Sequence, residues 1–156
     1  MATQRPLPDL LAQKSINLMA SATSRDDAIR QAGEALVAVG AIHADYIDEM
    51  IERENSVSTY VGEGVAIPHG TLSGTSAVSS DAISLLRFPA GVDWDGHDVR
   101  VVIGIAARGN GHISLLSQLA TILLEPETAE AMRNATTMDE IYTLLSADNY
   151  DRRGPV

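Results

Sequence analysis

The 156-residue sequence contains no cysteine. That absence excludes disulfides, iron–sulfur clusters, thiolate zinc sites and cysteine nucleophiles together, and it accords with a reducing compartment. Positive charge is scarce: 11 Lys and Arg stand against 21 Asp and Glu, for a formal net charge of -10. A broad nucleic-acid surface needs clustered Lys and Arg to neutralise phosphates, so nucleic acid is not an expected partner. An acidic surface serves solubility, or docks against a basic patch on another protein. No apolar run approaches membrane-spanning length, and Met1 to Pro8 carries prolines where a signal peptide would need an apolar core. A cytoplasmic protein without direct membrane insertion is the expectation.

What is present reads as one ordinary globular domain, with 45% hydrophobic and 21% charged residues. Residues 1–10 read as a flexible arm, 11–147 as a single domain and 148–156 as a polar, flexible tail. Ile16 to Met19 suits a small strand within Lys14 to Ala20. Ser24 and Asp27 resemble a capping box for a helix carrying Ile29, Ala32, Leu36 and Val39, which Gly40 stops. Ile47, Met50 and Ile51 mark a second helix that ends near Arg53 to Ser56. Val57 to His69 reads as strand, turn and strand, and Thr71 to Ser80 as a loop. Ala82 to Phe88 is an apolar strand closed by Pro89-Ala90-Gly91, and Trp94 to Asp98 is a turn. Val99 to Ile105 is nearly continuous in apolar residues, as a strand buried on both faces would be. Helices then follow: one with Leu115 to Leu123 capped by Asn110 or Gly111, a short one after Pro126, and one opened by Thr137 and Glu140. No internal repeat is present. Helices, then strands, then helices predict a mixed central sheet flanked on both faces, a three-layer α/β/α sandwich.

Of the four histidines, His69 has the most constrained setting, at a strand end in Ile67-Pro68-His69-Gly70. Pro68 pins its own backbone angle and pushes Ile67 to extended geometry, while Gly70 would let a foreign group approach the chain. His112 falls in the first turn of a predicted helix, where unpaired amides and the positive dipole end favour an anion and a neutral imidazole. Gly109 and Gly111 beside it would let the main chain close on that anion. His43, near a helix start, and His97, in a surface turn, read as structural residues. Arg53 is a suitable counter-charge for a phosphohistidine. Glu63 could orient an imidazole or repel a misplaced phosphate. His69, His112 and Glu63 could formally make a two-histidine, one-carboxylate metal set, but a phosphate site accounts for the glycines and Arg53 as well. No metal and no cofactor is expected.

Arg53-Glu54-Asn55, Tyr60 to Gly70 with its Ala-Ile-Pro-His-Gly core, Gly104-Ile105-Ala106-Ala107-Arg108 and His112-Ile113 together carry a resemblance. The chain resembles the EIIA domain of the mannitol/fructose class of the bacterial phosphoenolpyruvate-dependent sugar phosphotransferase system, its mannitol-specific branch above the fructose and nitrogen-regulatory ones. The resemblance implies a phosphotransferase, a phosphocarrier that accepts phosphate from HPr on His69 and passes it to a cysteine of an EIIB domain of a membrane permease. It further implies that His112 stabilises the phosphate, that Arg53 is the cationic partner and that Glu63 is an acidic neighbour. The alternative is a regulatory relative in which phosphorylation of His69 switches binding to a partner protein.

Overall fold

The computed structural model describes residues 7–70, 77–108 and 111–153, without the side chains of 111–113 and 147–153. Five strands form one mixed sheet: β1 (Leu11–Asn17), β2 (Tyr60–Gly62), β3 (Val65–Ala66), β4 (Ala82–Trp94) and β5 (His97–Ala106), in the spatial order β1-β4-β5-β3-β2. β1 runs parallel to β4 and β3 parallel to β5, whereas β4–β5 and β2–β3 are antiparallel. Helices α1 (Arg25–Ala38) and α2 (Asp45–Ser56) cover one face; α3 (Gly111–Leu123), α4 (Pro126–Arg133) and α5 (Met138–Arg153) cover the other. The three-layer α/β/α sandwich expected from the element order is the fold.

Strand alternation assigns each side chain to a layer. Val101, Ile103 and Ile105 of β5 face Leu115, Leu119, Ile122 and Ile141. Val102 and Ala106, one step out of phase, face Ile29, Ala32 and Leu36 of α1. Val99 to Ile105 is fully buried apart from Arg100, as the continuous apolar run requires. Each Ile or Leu withdrawn from water in this way contributes roughly 1.5–3 kcal/mol.

Local signals set most of the boundaries. The Ser24 side chain accepts from the Asp27 amide at 3.1 Å, and Gly40, at φ 76, follows the end of α1. Pro126 opens α4 at the helix position where a missing N–H costs nothing. Thr137 and Glu140 form a reciprocal capping box, with bonds of 3.2 and 3.1 Å. The turn at Trp94–His97 is a two-residue hairpin in which Asp95 and Gly96 both have positive φ, the geometry that matches the twist of antiparallel strands.

Three boundaries differ from expectation. β1 starts at Leu11 and ends at Asn17, because its parallel ladder with β4 runs from Leu11↔Ile83 to Asn17↔Leu86. β4 does not stop at Pro89: a register shift between Arg87 and Val92 absorbs the proline at an exposed bulge, and pairing resumes through to Trp94. α5 continues to Arg153, past the boundary placed at residue 147. At the other terminus, Leu7–Leu10 form a 3₁₀ turn with Leu7 and Leu10 buried against the sheet, and the Tyr142 hydroxyl donates to the Leu11 carbonyl at 2.6 Å. The remainder of the expected arm and the last residues of the tail lie outside the described residues. No helix among the described residues is long and apolar enough to cross a membrane.

Candidate functional site

His69 sits where β3 runs out. The Ile67 amide donates to Thr59 O at 3.1 Å, and the Ile105 amide donates to Pro68 O at 3.0 Å, so the chain is held from both sides just before the histidine. His69 itself bridges Ile105 in parallel register. With Val65 and Ile67 anchored in the core, backbone placement at this point is fixed to the precision of a central sheet strand.

His69 is 5% exposed, and its Nδ1 lies 2.9 Å from the Ile67 carbonyl. A carbonyl oxygen can only accept, so Nδ1 carries the proton. In the neutral ring the basic lone pair is therefore on Nε2.

Gly70 has a different purpose from the one its sequence suggests. Its amide donates to the Tyr46 hydroxyl at 2.9 Å, and a Cβ at residue 70 would stand 2.5 Å from Cε1 of the Tyr46 ring. The space beside Gly70 is filled by the protein's own tyrosine, not left for a visitor. Burial pushes the Tyr46 hydroxyl above its ordinary pKa, with the Gly70 amide opposing and Glu49 adding to the rise, so the phenol stays protonated at neutral pH. Gly70→Ala should therefore lower the unfolding free energy by about 1–3 kcal/mol through overpacking. Urea denaturation checks it: an unchanged midpoint would mean that Tyr46 yields freely.

β3 and β5 are parallel neighbours, and both point their carboxyl ends to the same edge of the sheet. His69 follows β3 there, and α3 begins at Gly111 just beyond β5, which brings the first turn of α3, including the backbone of His112, to that edge. Open sheets bind ligands outside the carboxyl ends of such strands. The His112 side chain, Gly109 and the expected cap Asn110 lie outside the described residues.

Arg53 is in the last turn of α2, where its Nη1 donates to the Val57 carbonyl at 2.7 Å. The antiparallel course of Tyr60↔Ala66 and Thr59–Ile67 directs Val57 toward the Pro68–His69 end. Glu63 goes the other way. It occupies the β2–β3 turn with φ 55, between two glycines that also have positive φ, and it pairs with Arg133 of α4 at 3.7 Å. Gly64 beside it bonds Arg100 and Val101, whereas His69 bridges Ile105; five residues of strand amount to about 16 Å. The structure thus brings His69, the start of α3 and Arg53 toward one edge, and places Glu63 at the other. The metal set of His69, His112 and Glu63 is not assembled. His97 stacks on Tyr60 with centroids 4.2 Å apart, and the His43 carbonyl accepts from the Tyr46 amide at the start of α2.

Two residues build the site without having stood out as candidates. Tyr46 is one. The other is Glu54, 2% exposed, which accepts from the Thr59 amide at 2.7 Å, the Thr59 hydroxyl at 2.6 Å, the Ser58 hydroxyl at 3.2 Å and the indole of Trp94 at 2.9 Å. A signal for Glu54 existed: a carboxylate in the last turn of a helix opposes the dipole and needs a specific partner.

The family model described as phosphoenolpyruvate-dependent sugar phosphotransferase system, EIIA 2, matches residues 9–148. The mannitol-specific phosphotransferase enzyme IIA component of Halalkalibacterium halodurans is 40% identical over 140 residues, covering 90% of this chain and 97% of the relative. Among solved structures, the crystal structure of IIA mannitol from Escherichia coli superposes with a TM-score of 0.80 at 35% identity, over 86% of this chain and 98% of that one. The complex of enzyme IIA and phosphorylated enzyme IIB for mannitol from Escherichia coli gives a TM-score of 0.81 at 34% identity, over 88% and 99%.

Proposed function

Because the chain belongs to the EIIA 2 family of the phosphoenolpyruvate-dependent sugar phosphotransferase system, we propose that it carries phosphoryl groups on His69 Nε2, from HPr to an EIIB domain of the mannitol type. The observation that carries the assignment to His69 is the Nδ1 bond to the Ile67 carbonyl, which presents Nε2 as the nucleophile.

In the forward step the Nε2 lone pair attacks phosphorus in line, the N–P bond forms as the bond to the donor breaks, and the electron pair returns to the donor. The ring then carries phosphate on Nε2 and a proton on Nδ1, and the Ile67 carbonyl stabilises the positive character that the ring acquires. In the second step a nucleophile of EIIB attacks the same phosphorus and the imidazole leaves as the neutral tautomer it began as. Little covalent help is needed beyond this, so positioning and charge supply most of the catalysis. The amides of the first turn of α3 and the guanidinium of Arg53 are the groups we assign as donors to the phosphoryl oxygens. His112 adds a hydrogen bond to a phosphoryl oxygen. Mannitol as the sugar served rests on the relatives' specificity, since phosphate and proteins are what this chain touches.

The relay is tested by supplying phosphoenolpyruvate, enzyme I and HPr, then a mannitol or a fructose EIIB domain. The expected product is an acid-labile, base-stable phosphoprotein that the mannitol EIIB discharges faster. Discharge by neither EIIB would refute the carrier role, and faster discharge by the fructose domain would refute the branch. His112→Ala should slow transfer by about tenfold to a hundredfold, the loss of one hydrogen bond to a charged group, while leaving His69 able to accept phosphate.

A further inference from the structure

At the sheet end away from His69, the β2–β3 turn, β4, β5 and the end of α4 enclose an open cleft of about 460 Å³. Its polar wall is Glu63, Arg87, Asp98, Arg100, Arg133 and Asn134. Three guanidiniums thus converge in a chain whose formal net charge is -10.

Two of the three have carboxylate partners. Arg100 holds Asp98 through Nε at 3.1 and 3.0 Å and donates to the Pro89 carbonyl at 2.6 Å. Arg133 donates to the Glu63 carbonyl and faces its carboxylate at 3.7 Å. Arg87 has none among the described residues. Its Nη1 donates to the Arg133 carbonyl at 3.1 Å, its Nη2 lies 3.9 Å from the Met19 sulfur, and its Nε is buried with no hydrogen-bond partner.

Arg87 is a costly residue for that place. It follows Ile83 and Leu85 at strand spacing on the face that packs against α3 to α5, where an aliphatic side chain would continue the stripe. Arg87 is half-buried, and a charge partly withdrawn from water without a counter-ion is destabilising. An anion entering the cleft would therefore meet a guanidinium that has no carboxylate beside it among the described residues.

We propose that this cleft binds a small phosphate monoester bearing hydroxyl groups, a polyol or sugar phosphate. A guanidinium fork takes two phosphate oxygens at once, and Arg87 and Arg133 both line the cleft. The carboxylates of Glu63 and Asp98 accept from hydroxyls, and the Asn134 amide both donates and accepts. The ligand is thus of the class that a sugar-phosphorylating system produces. The cleft lies about 16 Å along the strands from the relay histidine, so occupancy of the two is independent.

The test is amide NMR titration of the whole protein with mannitol 1-phosphate, inorganic phosphate and mannitol. Mannitol 1-phosphate should move Gly64, Arg100 and Asn134 saturably and leave His69 and Gly70 in place. Arg87→Met should weaken binding about tenfold or more, the loss of one charge-assisted bond, while phosphoryl uptake on His69 stays within about twofold. Should Arg87→Met fail to fold, Arg100→Gln at the exposed rim is expected to weaken binding in the same direction. Absence of shifts, equal affinity for inorganic phosphate (an adventitious ion only), binding of mannitol alone, shifts centred on His69, or unaltered affinity in the folded variants would each overturn the proposal. None of these outcomes bears on the relay, which the transfer assay reads separately.

Discussion

His69→Gln is expected to abolish phosphoryl uptake from HPr while leaving the fold intact. Glutamine has nearly the reach of imidazole, and its amide nitrogen can donate to the Ile67 carbonyl as Nδ1 does at 2.9 Å. What it lacks is a basic lone pair at the Nε2 position. Amide oxygen is a poor nucleophile toward phosphorus, so the variant should fall to the uncatalysed background, a loss on the order of 10⁴-fold or more. Radiolabel transfer from phosphoenolpyruvate through enzyme I and HPr measures it directly. Uptake at the wild-type rate would place the acceptor elsewhere.

The second large effect is on stability. Glu54→Ala removes the one acceptor shared by the Thr59 amide, the Thr59 and Ser58 hydroxyls and the Trp94 indole. Each buried donor left unmet costs about 1–3 kcal/mol, although the hydroxyls can rotate to other partners. Loss of the buried carboxylate's own desolvation penalty offsets part of this. A net destabilisation of about 2–4 kcal/mol is the balance, and with a urea slope near 2 kcal/mol per molar the midpoint should fall by about 1–2 M. Trp94, the single tryptophan of the chain, reports the transition by fluorescence. Transfer should slow as well, because Thr59 holds Ile67 and Ile67 holds His69. A midpoint within error of wild type would show that these donors find other acceptors.

Much of this was legible in the sequence where the signal was local. Ser24, the Thr137 and Glu140 box, Asp95-Gly96 and the Val99 to Ile105 run each specify their element through neighbours a few residues away. His69 belongs with them, since Pro68 and the strand before it pose the ring without distant help. The less legible features depend on contacts far apart in the chain. Pro89 reads as a strand end, but the β5 ladder resumes after a bulge in which Phe88 to Gly91 stand opposite Arg100 alone. Gly70 reads as an opening because nothing nearby announces that Tyr46, 24 residues earlier, fills the gap. Glu63 looks close to His69 because only five residues intervene, yet in extended chain that spacing is a distance, not a proximity. Arg87 hid for a related reason: one charged residue at the end of an apolar strand looks like decoration until the helix layer beside it is in view.

The packing of Tyr46 over Gly70 also limits which neighbours in sequence space are reachable. A chain that replaced Gly70 with a larger residue would press on the ring at position 46, and on the hydroxyl that receives the Gly70 amide, unless that ring became smaller too. The two positions are therefore expected to change together or not at all as the lineage drifts, so that a tyrosine on the second helix records, indirectly, the commitment of the strand end to its histidine.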